Sequence, residues 1–291
     1  MAAVLILILI ALVGASPAFA QADCVLDTTR RATAPRTASR LHLRLNIPAF
    51  RLDVFEDSIL ARSYTVAVGL PSYPTPRGAF AITSIEWNPW WYPPPSEWAR
   101  RERVTPPGPN NPMGRVKLIF REYYYFHGTP AEGSLGSAAS HGCVRMANAD
   151  AIALARLVHR HATPNVTKEE IDDLVGNTRK TRRFIISEAV PVEIEYRVAE
   201  VRGDSLLLHP DIYRVAPGRT AVHAMTALVG AGFDSALVDK DRLRAAADQS
   251  RRRLVTIALP DLLIRTRTSR APAGGWQVPR RPAVARAVPV P

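Results

Sequence analysis

Leu41-His42-Leu43-Arg44-Leu45-Asn46 sets a leucine at every second position with polar side chains between. Successive side chains of an extended chain point to opposite faces, so this alternation predicts a half-buried strand with its leucines toward a core. Arg51 to Phe55 and Ser63 to Val68 continue the β signal, and a turn-rich connection, Gly69 to Pro76, leads to a further strand from Gly78 to Ile85. Val116 to Phe120, Tyr123 to His127, Phe184 to Ile186 and Val192 to Val198 read the same way. Helices are fewer. Asn148 stands before Ala149-Asp150 and an apolar stripe at Ile152, Leu154, Ala155 and Val158, which predicts an N-capped amphipathic helix. Thr167-Lys168-Glu169-Glu170 is a capping box for a short second helix ending near Gly176. The expected fold class is therefore mostly β with a few helices, α+β.

One stretch breaks the pattern. Trp87 to Pro112 holds Trp87, Trp90, Trp91, Tyr92 and Trp98 among many prolines. Pro89, Pro93, Pro94 and Pro95 deny it both ladder donors and helical continuity, so it reads as a long ordered loop. Loops of that kind serve as lids or binding surfaces, and the same aromatics could equally cover core.

The ends differ from the middle. Residues 1–20 carry no charged side chain, and the apolar run Val4 to Val13 followed by Ala18-Phe19-Ala20 reads as an export signal with its cleavage site. Left uncleaved, it would be a membrane anchor. Residues 21–40 read as a flexible leader, 41–199 as the main domain and 200–268 as an accessory C-terminal region. Within that region Ala221 to Val229 and Asp241 to Ala247 look helical, and Leu254 to Leu259 is an apolar run. Residues 269–291, rich in Pro, Ala and Arg, read as a disordered tail.

A hydrophobic fraction of 47% in 291 residues excludes a mostly disordered chain. Lys plus Arg outnumber Asp plus Glu by 38 to 26, a net +12 that favours polyanionic surroundings such as nucleic acid, anionic lipid or an acidic cell wall. Export removes nucleic acid from that set. Two cysteines, Cys24 and Cys143, are too few for a disulfide-built scaffold and leave a bridge between them open.

Cys143 has an unusual setting. Gly133-Ser134-Leu135-Gly136-Ser137 and then Ser140-His141-Gly142 precede it, and small residues let a backbone approach a substrate and let N–H groups converge on it. Polar neighbours Ser140, His141 and Arg145 argue against a buried structural cysteine. A thiol with a pKa of about 8.5 needs a base or a cation beside it to become a nucleophile. His127 and His141 are the candidates. Side chains so close on a tight loop tend to diverge, which favours the more distant His127 at the expected mouth of its strand. One cysteine and two histidines without a C-x-x-C pair do not make a zinc site, so neither metal nor cofactor is expected.

His127-Gly128-Thr129, the glycine-serine stretch and Ser140-His141-Gly142-Cys143-Val144-Arg145-Met146 with Asn148 and Asp150 resemble the L,D-transpeptidase catalytic domain, the YkuD family. Pro74-Thr75-Pro76-Arg77-Gly78-Ala79-Phe80, Asn88-Pro89-Trp90-Trp91 and Asn111-Pro112-Met113-Gly114 extend the likeness across roughly Leu41 to Val198. Asp211-Ile212-Tyr213 looks, more faintly, like the end of longer Gram-negative-type members. The resemblance implies a β-rich, sandwich-like fold with Cys143 as nucleophile and His127 as base, oriented through the main chain at Gly128. His141 would line the site with Ser140, and N–H groups near Gly142 and Cys143 would hold the oxyanion. Arg145 would organise the loop or meet substrate carboxylates, a structural salt bridge being the plainer alternative. The implied reaction is attack on a peptidoglycan stem tetrapeptide, loss of D-alanine, a thioester, and transfer to an amine to give a 3–3 cross-link in the periplasm. Attachment of a lipoprotein to the wall, or transfer to water as a carboxypeptidase or amidase, would use the same acyl-enzyme. A silent wall-binding protein would not need the intact His127, His141 and Cys143 set.

Overall fold

The computed structural model describes residues 40–264. The export signal, nearly all of the leader and the C-terminal tail expected from the sequence lie outside the described residues.

The leucine alternation forms strand β1 (Leu41–Asn46), with Leu41, Leu43 and Leu45 fully buried. Each such side chain contributes about 1.5–3 kcal/mol on leaving water. β2 (Arg51–Glu56) and β3 (Ile59–Thr65) follow antiparallel, and β4 (Val68–Gly69) is short. β5 (Gly78–Trp87), β6 (Val116–Arg121) and β7 (Tyr124–Thr129) form an antiparallel run, then β8 (Ala138–Ser140) and β9 (Val144–Ala147) bracket Cys143. Helices α1 (Asn148–Ala162) and α2 (Lys168–Gly176) precede β10 (Arg182–Glu195). The large sheet has eight strands in the order β3-β2-β1-β10-β5-β6-β7-β9, parallel at β1/β10 and β7/β9 and antiparallel elsewhere. The chain leaving β3 crosses to the far side of this sheet, where Ala67 and Arg145 exchange N–H···O bonds of 2.9 Å in each direction. Helix α1 buries Ala151, Leu154, Ala155 and Val158 in the core beside Trp87, Phe126 and Met146. The architecture is thus mostly β with a few helices, an α+β fold.

Three expectations need correction. Phe184 to Ile186 and Val192 to Glu195 are not separate strands but parts of the 14-residue β10, whose register slips between Ile185 and Val190, and Tyr196 to Val198 lie beyond its end. Trp87 is no loop residue, since it ends β5 fully buried and its Nε1–H donates to His159 Nε2 at 3.0 Å. Asn148 does not cap α1. It is the first helical residue, its Oδ1 accepting from Arg115 N (2.9 Å) and its Nδ2 donating to Thr129 O (3.0 Å). The exposed N–H of Asn148 is met instead by the Glu132 carboxylate at 3.2 Å. The capping box of α2 forms as read, with both Thr167–Glu170 bonds at 3.2 Å.

Beyond β10 a second core gathers around Leu206, Leu208, Leu228 and Leu262. It is built from the antiparallel β11 (Ala199–Arg202), β12 (Ser205–Leu208) and β13 (Val255–Ala258) with α3 (Thr220–Gly230), α4 (Lys240–Gln249) and the short α5 (Leu259–Leu262). A bidentate pair of 2.8 Å bonds from Arg51 on β2 to Glu200 on β11 ties it to the large sheet.

Candidate active site

Parallel pairing of β7 with β9 sets Phe126 opposite Val144 and His127 opposite Arg145. Facing residues of neighbouring strands share a side of the sheet, so His127 and Arg145 emerge together, and Lys117, paired with His127 from β6, joins them. Phe126, Val144 and Met146 take the other side and enter the core. The strand runs two residues past His127 to Thr129, so the histidine lies within β7 and not at its mouth.

The His127 ring is 2% exposed, and its Nδ1 lies 2.7 Å from Gly128 O. A carbonyl only accepts, so Nδ1 carries the proton and Nε2 keeps its lone pair. Burial pushes the ring pKa down to about 4; the Gly128 bond opposes this, while Arg145 and Lys117 add to it. His127 is therefore a neutral imidazole at any moderate pH.

Cys143 is half-buried and its thiol is free. Desolvation pushes that thiol up to about 11, against the pull of the Tyr125 backbone N–H, Arg145 and Lys117. Thiol and imidazole thus rest as a neutral pair, not as thiolate and imidazolium. The Sγ–H donates to Tyr123 O at 3.3 Å and not to His127. For this thiol to meet the imidazole it would have to leave Tyr123 O.

The backbone around the thiol is pinned plane by plane. Ser140 is 2% exposed, and its Oγ accepts from Gly142 N at 3.1 Å while donating to Cys143 O at 2.5 Å. Gly142 O accepts from Thr75 Oγ1 at 3.0 Å. Gly142 has φ +108, and a Cβ there would lie 2.7 Å from Tyr124 Cε1, so only glycine fits. The Gly142 N–H is thus spent on Ser140.

His141 is exposed, with Trp98 stacked on it at 3.9 Å and 5° and Tyr73 edge-on at 4.8 Å. It forms the rim of the site together with the proline-rich loop, whose Trp98 packs here while Trp90 and Tyr92 stack on each other at 6.4 Å in solvent. Arg145 is half-buried beside Cys143 and stands in no ion pair among the described residues. Lys117 pairs with Glu86 at 3.2 Å and lies 5.2 Å over the Tyr125 ring. Lys117, Tyr123, Tyr124 and Tyr125 carried no sequence signal for the site. Trp98 did, through the aromatic density of its loop. Among the described residues no three His, Cys, Asp or Glu side chains gather as a metal site, and no helix is long and apolar enough to cross a membrane.

The family model for the L,D-transpeptidase catalytic domain, YkuD, matches residues 40–193. A Bacillus licheniformis protein named for L,D-transpeptidase activity, YkuD, is 32% identical over 133 residues, 45% of this chain and 64% of its own length. The Escherichia coli ErfK/SrfK protein, named likewise, is 32% identical over 117 residues, 36% of this chain and 37% of its own. The chain thus spans less than two thirds of the length of either relative. A solved L,D-transpeptidase from Mycobacterium smegmatis overlays 54% of this chain and 58% of its own, with 16% identity and a TM-score of 0.36. On the match of more than half its length, this chain belongs to the YkuD family of L,D-transpeptidase catalytic domains.

Proposed function

We propose that the protein is a cysteine-dependent L,D-transpeptidase acting on peptidoglycan stem peptides outside the cytoplasmic membrane. The observation that carries this is a free thiol on a pinned loop, sharing its side of the sheet with a buried histidine whose Nδ1 is already committed. Swung from Tyr123 O toward His127, the thiol gives its proton to Nε2 as Sγ attacks the carbonyl linking the third stem residue to the terminal D-alanine. The Cys143 N–H holds the oxyanion. Collapse breaks the C–N bond, the imidazolium returns its proton to the departing amine, and D-alanine leaves behind a thioester. An amine on a neighbouring stem then attacks, its proton passing to His127, and a 3–3 cross-link forms with the thiol restored. Arg145, in no ion pair among the described residues, meets a substrate carboxylate. His141, with Trp98 and Tyr73, walls the entrance.

Incubation of the purified protein with disaccharide tetrapeptide tests this. Cross-linked dimers are the expected product. Tripeptide alone would reassign the acceptor to water, and unchanged tetrapeptide would sink the proposal. A carbapenem should add covalently to the wild type by intact mass and leave Cys143→Ala unmodified; an adduct on the variant would remove Cys143 from its role.

A further inference from the structure

The family match ends at residue 193, yet three residues beyond it form a chain of hydrogen bonds that reaches the nucleophile's loop. Asp211 is the anchor. Its carboxylate accepts from Val215 N and Ala216 N at 2.8 Å each and from Tyr196 Oη at 2.8 Å. Tyr196 Oη in turn accepts from Tyr213 N at 2.7 Å, and the two rings stack at 5.5 Å. Tyr213 is held at both its backbone and its ring, so the place of its hydroxyl is set.

That hydroxyl bridges the turn that follows β4. It donates to Gly69 O at 2.7 Å and accepts from Thr75 N at 3.2 Å. Thr75, 2% exposed, accepts from Gly69 N at 2.9 Å through its own Oγ1, and the same Oγ1 donates to Gly142 O at 3.0 Å. The turn is drawn tight. A Cβ on Gly69 would lie 2.1 Å from Tyr73 O and 3.0 Å from Gly142 Cα. Each member of this relay is satisfied by the next, and its last bond falls on the carbonyl of the residue before Cys143.

A peptide unit is planar and trans, so its C=O and N–H point in opposite directions. The Gly142 carbonyl and the Cys143 N–H belong to one such unit. With the carbonyl fixed on Thr75, the N–H has only the opposite direction, away from the turn. Gly142 has no side chain to resist rotation, and at φ +108 it could take other orientations without cost from a Cβ. The Thr75 bond is what selects this one. Accepting Cys143 as the nucleophile, we infer that Tyr213 is a positioning residue for the reaction: through Thr75 it fixes the Gly142–Cys143 peptide plane and so aims the Cys143 N–H at the oxyanion. The segment after the family domain is by this account part of the active site's support and not an appendage.

The test separates oxyanion formation from thiol reactivity in the full chain. Carbapenem acylation forms an oxyanion; alkylation by iodoacetamide does not, although both need the Cys143 sulfur and its proton acceptor. Tyr213→Phe keeps the ring and removes the hydroxyl, and Thr75→Val removes the next link at nearly constant volume. Acylation by intact-mass time course is expected to slow on the order of tenfold in Tyr213→Phe and at least as much in Thr75→Val, short of the ~10²–10³-fold cost of losing a donor outright. The double variant should be no slower than Thr75→Val, because the two lie on one path. Alkylation should change by less than about twofold. Acylation at the wild-type rate in Tyr213→Phe, or alkylation slowing in step with acylation, would overturn the inference. Should Tyr213→Phe fail to fold, Thr75→Val carries the same two readings alone. A wild type that carbapenem does not acylate would sink the Cys143 reading itself, and this inference with it.

Discussion

Two histidines of this protein are almost equally buried, His127 at 2% and His159 at 4% exposure, and burial pushes both down to about 4. Their ring nitrogens are engaged differently. His159 has both ring nitrogens occupied, Nε2 accepting from Trp87 Nε1 at 3.0 Å and Nδ1 donating to Thr163 Oγ1 at 2.8 Å, and Thr163 closes the loop back onto His159 O. Among the described residues His127 has Nδ1 alone tied, to Gly128 O. A buried imidazole with both nitrogens satisfied is held as structure, whereas one that keeps a lone pair can accept a proton, the role proposed for His127. A shifted pKa by itself does not tell the two apart, because desolvation acts on both alike.

The comparison can be broken most severely at His127. Replacement by Gln should cut carbapenem acylation roughly 10³-fold, within the range for losing a general base, while leaving the thermal midpoint nearly unchanged. His159→Gln slowing acylation as much would erase the distinction. The converse substitution comes next. His159→Ala strands Trp87 Nε1–H in the core and opens a void, and urea melts should show a loss of about 2–4 kcal/mol with acylation of the folded protein untouched.

The pH dependence is a smaller effect and is shared. For both rings the folded pKa of about 4 lies below the unfolded value of about 6.5, so between these pH values the unfolded chain binds the extra proton. Stability is full above about pH 6.5 and falls as pH drops toward 4, by up to roughly 3 kcal/mol per ring. His159→Gln should flatten that decline in melts taken across the interval. The acylation rate should hold down to near pH 4–5 before its acid limb; an inflection near 6.5 would mean that a different histidine is the base. The smallest effect belongs to the exposed His141. His141→Ala should change acylation only a few-fold, since its ring contributes a wall against Trp98 and Tyr73 and no proton transfer.

How much was legible beforehand follows the same division between local and distant. The alternation of Leu41, Leu43 and Leu45 and the Thr167–Glu170 box declared themselves because their partners lie within a few residues. From sequence β10 reads as two strands because Glu188-Ala189 interrupts its apolar pattern where the register slips, although the chain runs on. β11 and β12, four residues each, are too short to show a period. In the site, Cys143 and His127 stood out by residue type and by the glycines around them. What stayed hidden were bonds closed by the fold. Asn148 looked like a helix cap but is stitched to Arg115 and Thr129, and Thr75 meets Tyr213 across 138 residues. No spacing in a sequence reports such pairs.

The bridge between Ala67 and Arg145 carries a consequence for how substrate arrives. Many peptide-cleaving and peptide-binding proteins take an extended ligand by adding it as one more strand, with main-chain bonds supplying affinity whatever the side chains are. Here the outward N–H and C=O of Arg145 are already spent on Ala67, so the edge beside Cys143 offers no vacancy for strand addition at that residue. Any peptide taken at this edge would therefore be gripped by side chains and not by ladder bonds at that residue.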